Sequence, residues 1–246
     1  MIHPTLILAT AGRVLHQLRR DLRTVALLLL VPAVLLVLVR GVFHGQDEVF
    51  QRVGVPLLGI FPLTSMFLVT SITVLRERTS GTLERLMTMP LAKADLLLGY
   101  ALAFGVLAAA QALVVSAVAF GFLGLESQGP ILAIVAVAML NAMLGMALGL
   151  FVSAFASTEF QAVQFMPAFI LPQLVLCGLL APRETMVAPL EWAALVMPMT
   201  YAYDALLLIA AGNGASFAGA RDVGIMLTFT VAALLAGAAT LPRRTP

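Results

Sequence analysis

Leu75–Tyr100 reads LRERTSGTLERLMTMPLAKADLLLGY, and the reading of this stretch decides the fold. It is the one internal segment where charge is concentrated, in Arg76, Glu77, Arg78, Glu84, Arg85, Lys93 and Asp95, and long apolar runs flank it on both sides. A polar connector this short cannot form a domain of its own. It reads as a loop held against one membrane face and shaped for a partner to grip. Thr79-Ser80-Gly81 predicts a turn and a helix start, because glycine tolerates unusual dihedrals and hydroxyl residues favour helix entry. Thr82–Met89 then places Leu83, Leu86 and Met87 on one helical face, with Glu84 and Arg85 elsewhere. Glu84 falls in the first turn, where the helix dipole favours an anion. Pro90 ends the segment, since the residue before a proline is pushed out of the helical region.

Working outward, the 246 residues are 61% hydrophobic and 11% charged, with a mean hydropathy of +1.05. A soluble domain carries roughly a quarter charged residues, so the chain has too little polar surface for a water-soluble globule. The class is an all-α polytopic membrane protein. Net charge is +2, and no basic cluster is large enough to track a phosphate backbone, which argues against nucleic acid as a partner. Cys177 is the sole cysteine, so neither an intrachain disulfide nor a cysteine-based metal site can form. It reads as a small apolar packing residue.

Each crossing needs about 20 apolar residues. Six spans are expected at 24–42, 53–75, 96–123, 130–156, 160–181 and 222–241. Before the first, Ile7, Leu8, Ala11, Val14, Leu15, Leu18 and Leu22 recur at helical spacing, with Arg13, His16, Gln17 and Arg20 opposite. Residues 1–23 therefore read as an interfacial helix in the headgroup plane. Arg13, Arg19, Arg20 and Arg23 ahead of span one put the N-terminus in the cytoplasm. Alternation then puts 76–95 and the C-terminal Arg243 and Arg244 inside. Only Arg40, Arg52, Arg183 and Arg221 of the fourteen basic residues fall outside.

Residues 182–212 interrupt the apolar pattern. A seventh span over 190–211 would place Glu191 and Asp204 at depth and Pro198 inside a helix, both costly. Trp192, Tyr201 and Tyr203 belong at an interface. Two short re-entrant helices dipping in from outside are expected instead. In the fourth span Gly145, Gly149 and Ser153 recur every four residues and would let a neighbouring helix of the same chain approach closely. Gln111, Asn141, Gln164 and Gln173 read as interhelical hydrogen-bonding groups.

No G-x-x-x-x-G-K-[ST] run occurs, so the chain does not cradle nucleotide phosphates itself. No His/Cys/Asp/Glu group has metal-ligand spacing. Gly214-Ala215-Ser216 fails as a nucleophile elbow because position 218 is alanine. Every carboxylate lies at or beyond an expected span end, which disfavours an ion-coupled secondary transporter or channel. The missing catalytic clusters disfavour an intramembrane enzyme.

With those residues in view, Arg76-Glu77-Arg78-Thr79-Ser80-Gly81-Thr82-Leu83-Glu84-Arg85-Leu86, then Pro90 and Leu98-Gly99-Tyr100, resemble the E-R-x-x-G-T-L-E-x-L…P…L-G-K signature of ABC-2 type transporter permeases. Ser157, Gln161, Pro167, Leu176, Gly178, Met186, Pro198, Thr200, Tyr201 and Leu206 resemble the family's looser second-half pattern. Tyr100 stands where a basic residue is common, and Cys177 where serine is common.

The resemblance implies an interfacial N-terminal helix, a cytoplasmic coupling helix between spans 2 and 3 (segment 76–95), and re-entrant helices before span 6. It implies a single transmembrane domain over 1–246, in a bacterial cytoplasmic membrane, paired with a second permease and with separate ATP-binding-cassette ATPase subunits. ATP and magnesium would be held by those ATPase subunits, with no cofactor in this chain. By that analogy the docking residues are Glu77, Arg78, Gly81, Thr82, Leu83, Glu84, Arg85, Leu86 and Pro90. The cargo would be a hydrophobic or amphiphilic drug, antibiotic or lipid-like compound exported outward. Phe165, Met166, Phe169, Gln173 and Leu176 on span 5 are candidate path residues.

Overall fold

The structure, a computed structural model, describes residues 3–88 and 92–240, with the side chains of Leu83, Glu84 and Met87 left aside. Pro90, Arg243 and Arg244 lie outside the described residues. The helices in chain order are α1 (Pro4–Arg20), α2 (Leu22–Val42), α3 (Asp47–Thr79), α4 (Thr82–Thr88), α5 (Lys93–Gly121), α6 (Ile131–Ser153), α7 (Glu159–Leu176), α8 (Ala188–Leu195), α9 (Pro198–Ala210) and α10 (Phe217–Thr240).

Among the described residues five helices are long and apolar enough to cross a membrane: α2, α3, α5, α6 and α10. A sixth is added if α8 and α9, bent by 82° at their junction, form one broken span. The expected fifth span, 160–181, differs from this. It forms α7, which stops at Leu176 after 18 residues, about 27 Å at 1.5 Å per residue. Glu159, Gln161, Gln164 and Gln173 dilute its apolar character. The bend between α8 and α9 falls at Val196–Met197, directly ahead of Pro198 at the start of α9. Proline tolerates a first turn and not an interior.

α3, with 33 residues, extends about 50 Å and outruns a hydrocarbon core of about 30 Å. α5 is likewise over-long at 29 residues. Their adjoining ends carry α4 between them. α1 lies along α5 with Thr10, Ala11, Val14 and Leu18 buried, so the apolar face read from its spacing is turned onto protein.

α3 and α6 form the centre of the fold. A Cβ at Gly145 or Gly149 would overlap the carbonyl oxygens of Leu63 and Phe67, so α6 approaches α3 to backbone contact, as small-residue stripes permit. Polar side chains serve the proline-interrupted helices. Pro32 in α2 cannot donate to the Leu28 carbonyl, and Gln111 Nε2 donates to it instead at 2.8 Å. Asn141 Nδ2 donates to Gly59 O at 3.0 Å, near Pro62 of α3. Gln173 donates to Phe169 O in its own helix and accepts from Met199 N of α9. Gln164 is exposed, in contrast to its expected interhelical role.

Gly149→Val is expected to cost about 1–3 kcal/mol through overpacking and to lower the thermal unfolding midpoint in detergent. Gly105→Ala, where a Cβ meets nothing within 4 Å, should leave that midpoint unchanged or raise it.

Candidate functional site

Three consecutive residues at the end of α3 project about 100° apart around the helix and reach three different neighbours. The Arg76 guanidinium forks onto Glu159 at the first position of α7, at 2.7 and 2.9 Å. Glu77 accepts from both terminal nitrogens of Arg13 on α1, at 2.9 and 3.1 Å, and from the Tyr100 hydroxyl on α5. Arg78 donates to Ala154 O at 2.7 Å and to Ala156 O, just past the end of α6. Carbonyls at a helix C-terminus lack intrahelical donors and carry partial negative charge, so a guanidinium there both bonds and neutralises.

Burial separates these ties energetically. Arg76 and Glu159 are 57% and 52% exposed, and such a pair contributes about 0–1 kcal/mol. Glu77 is 3% exposed. Removing its partner would leave a buried carboxylate uncompensated, at a cost of about 3–5 kcal/mol. Arg13 also reaches the Tyr100 hydroxyl at 3.3 Å, so Tyr100 bonds the same carboxylate as the cation. Its neighbour Gly99 lets α1 come close, since a Cβ there would collide with Thr10. The start of α1 is held too: His3 N donates to Asp95 Oδ1 at 3.0 Å.

Beyond the triplet, Ser80 N bonds Arg76 O and Gly81 N bonds Arg78 O. Gly81 has φ +72°, a left-handed conformation that L side chains adopt at a cost, and the chain reverses into α4. Thr82 starts α4, with its hydroxyl 3.0 Å from that of Ser80. Leu86 packs against a hydrophobic cluster to which α1, α2, α3, α5 and α6 contribute. Arg85 and Thr88 are exposed.

The expected docking residues thus divide. Glu77 is buried inside the chain, and Arg78 is bound to carbonyls of its own chain, so neither side chain is free for a partner. Gly81 and Thr82 shape the turn, Leu86 faces the body, and Arg85 faces outward. The expected path residues do not converge on one cavity. Gln173 and Leu176 are buried, Phe165 and Met166 are half-buried against the core, and Phe169 lies 6.3 Å from Phe67, ring centre to ring centre.

A cleft of about 370 Å³ near the triplet lies between α2 and α3, beside the end of α1. Leu27, Leu28, Val31, Leu68 and Val69 give it apolar walls, and Gln17, Asp21, Thr24, Thr73 and Arg76 give it polar ones. Asp21 caps α2, and hydrogen bonds from the Thr24 hydroxyl and amide hold its carboxyl below the usual range. Spacing alone missed this cleft, because it forms where two helices diverge. The signal was indirect: Asp21 as a helix breaker between α1 and α2.

Arg13→Gln, which leaves the Glu77 carboxylate buried without its cation, is expected to cost about 3 kcal/mol, read as a lowered unfolding midpoint in detergent. Glu159→Gln should cost less than about 1 kcal/mol. Equal effects would contradict the difference in burial.

The ABC-2 type transporter family profile matches residues 5–210. Over 148 residues the chain is 26% identical to "Probable multidrug ABC transporter permease YbhR" of Escherichia coli K12, covering 60% of this chain and 40% of that protein. Over 138 residues it is 26% identical to ABC transporter G family member 20 of Dictyostelium discoideum, covering 56% of this chain and 19% of that one. The match therefore spans well under half the length of these relatives. With the profile covering most of the chain, this all-helical, multi-pass membrane protein belongs to the ABC-2 type transporter family.

Proposed function

We propose that the chain is the membrane-spanning subunit of an ATP-driven exporter that moves a hydrophobic or amphiphilic compound outward across a bacterial cytoplasmic membrane. A separate ATP-binding subunit would supply ATP hydrolysis with magnesium, and a second permease would complete the path. Family membership supports the transport role. The α3–α4 corner supports the coupling role: α4 is carried on the rigid end of α3, whose three terminal charges tie it to α1, α5, α6 and α7.

In this reading the triplet end of the molecule faces the cytoplasm, and α1 lies at the headgroups. α4 presents Arg85 and Thr88 to the ATP-binding subunit, with Glu84 alongside in sequence. A force on α4 reaches α3 through the Gly81 turn and spreads to four helices. α7 is the fifth crossing, and α8 and α9 form a re-entrant pair. The α2–α3 cleft, lined by both apolar and polar side chains, suits an amphiphile entering from the inner leaflet. The multidrug wording in the name of the Escherichia coli relative agrees with such a cargo.

Reconstitution with its ATP-binding partner should give vanadate-sensitive ATPase activity. Arg85→Glu is expected to lower it by about fivefold or more through like-charge juxtaposition or lost steering at the interface. Unchanged assembly and turnover would remove α4 from the docking role. Transport that persists without any ATPase partner, and collapses with the proton gradient, would remove the ATP-driven reading altogether.

A further inference from the structure

The cleft between α2 and α3 has a direction. Its α3 wall is Ser65, Leu68, Val69, Ile72, Thr73 and Arg76, and its α2 wall is Thr24, Leu27, Leu28 and Val31. Steps of three and four keep each set on a single helical face, so the cleft is a trough running along both helices. From Ser65 to Arg76 it extends about 16 Å at 1.5 Å per residue, close to one leaflet of a hydrocarbon core about 30 Å thick. Asp21 and Arg76 attract one another across it, so the start of α2 lies beside the end of α3. Gln17, Asp21, Thr24, Thr73 and Arg76 therefore gather at that end, and the leucines and valines extend away from it. Ser65, at the other end, is turned to its own helix and donates to Phe61 O at 2.9 Å.

The polar end holds one charge of each sign, each with bonding capacity left. The Arg76 fork onto Glu159 uses Nε and Nη2, which leaves both protons of Nη1. Asp21 accepts one bond on each oxygen, from the Thr24 amide and hydroxyl, and an ionised carboxylate has about four acceptor sites. Among the described residues the Gln17 amide and the Thr73 hydroxyl make no hydrogen bond. Arg19, Arg20 and Arg23 are exposed on either side of Asp21 in sequence without lining the trough, and they add attraction for a phosphate. A purely anionic head would leave Asp21 unanswered, and a purely cationic one would leave Arg76 unanswered.

We propose that this trough binds a phospholipid whose headgroup carries both a phosphate and a primary ammonium, of the phosphatidylethanolamine type. The phosphate meets Arg76 Nη1 and the Thr73 hydroxyl, and the ammonium donates to Asp21 and Gln17. One acyl chain lies along Leu27, Val31, Leu68 and Val69. A choline head has the same charges but no N–H to donate, and a glycerol head offers Asp21 no cation. The ammonium therefore selects. The inference rests on the reading of this cleft as the amphiphile site of an exporter, and it names the amphiphile.

The test titrates phosphatidylethanolamine, phosphatidylcholine and phosphatidylglycerol with identical acyl chains into the delipidated full chain in a neutral detergent. Native mass spectrometry counts the lipids bound. No nucleotide or ATPase partner is present, so failure here leaves ATP-driven export standing, and absent ATPase activity would leave this result standing. Phosphatidylethanolamine is expected to bind about tenfold tighter than the other two, as loss of a charge-assisted hydrogen bond predicts. Asp21→Asn keeps the helix cap and should bring phosphatidylethanolamine down to the choline level. Val31→Trp, which fills the apolar part of the trough, should abolish the tight binding. Both variants change exposed side chains, so the unfolding midpoint should hold. Equal affinity for the three lipids, tighter binding of the glycerol lipid, a preference that survives Asp21→Asn, or tight binding that survives Val31→Trp would each overturn the proposal.

Discussion

A carboxylate that cannot reach water governs this structure. Glu77 sits at the end of the longest helix, nearly fully buried, and is tolerable there because Arg13 and Tyr100 meet it from two other helices. Desolvating a carboxylate is expensive, and its partners must be in place together to offset the cost. The position of α1 relative to α3 and α5 is thereby set by an electrostatic requirement as well as by burial of Ala11, Val14 and Leu18.

Its two neighbours extend the same logic at lower cost. Arg76 and Arg78 flank Glu77 and engage the start of α7 and the end of α6. An α-helix cannot aim three successive side chains at one neighbour, so a run of three charges gathers helices around it. Four helices are joined at one end of α3, while the middle of α3, at Leu63 and Phe67, packs against Gly145 and Gly149 of α6, where no side chain intervenes. The first contact is ionic and specific in geometry. The second is a backbone approach that tolerates almost no added volume. Between them α3 is held along its length, and α4 follows directly on its tied end.

Much of this was legible in the sequence, and the misses share a cause. The helical period marked the buried face of α1. Gly81 marked the turn, Pro198 the break between α8 and α9, and the small-residue stripe the close face of α6. Each is a local signal. The partnership of Arg13 with Glu77, 64 residues apart, is not local, and periodicity assigned Arg13 to a polar face where a headgroup charge would do equally well. Tyr100 was visible as an oddity, a tyrosine where the family pattern commonly has a basic residue. Its role became readable only with Arg13 beside it, since the cation now arrives from α1. The extent of α7 was misjudged because apolar runs on both sides of its glutamines suggested a longer crossing. The α2–α3 cleft depends on how far two helices diverge, which no spacing rule records.

The claim that α1 is locked to α3 through one buried ion pair is tested most directly by exchanging the charges. Arg13→Glu and Glu77→Arg should each leave like charges facing one another and lower the unfolding midpoint. The double variant restores opposite charges and should recover most of the loss, giving a large positive coupling in a double-mutant cycle. A double variant as unstable as the sum of the two single changes would show that the pair does not hold these helices together.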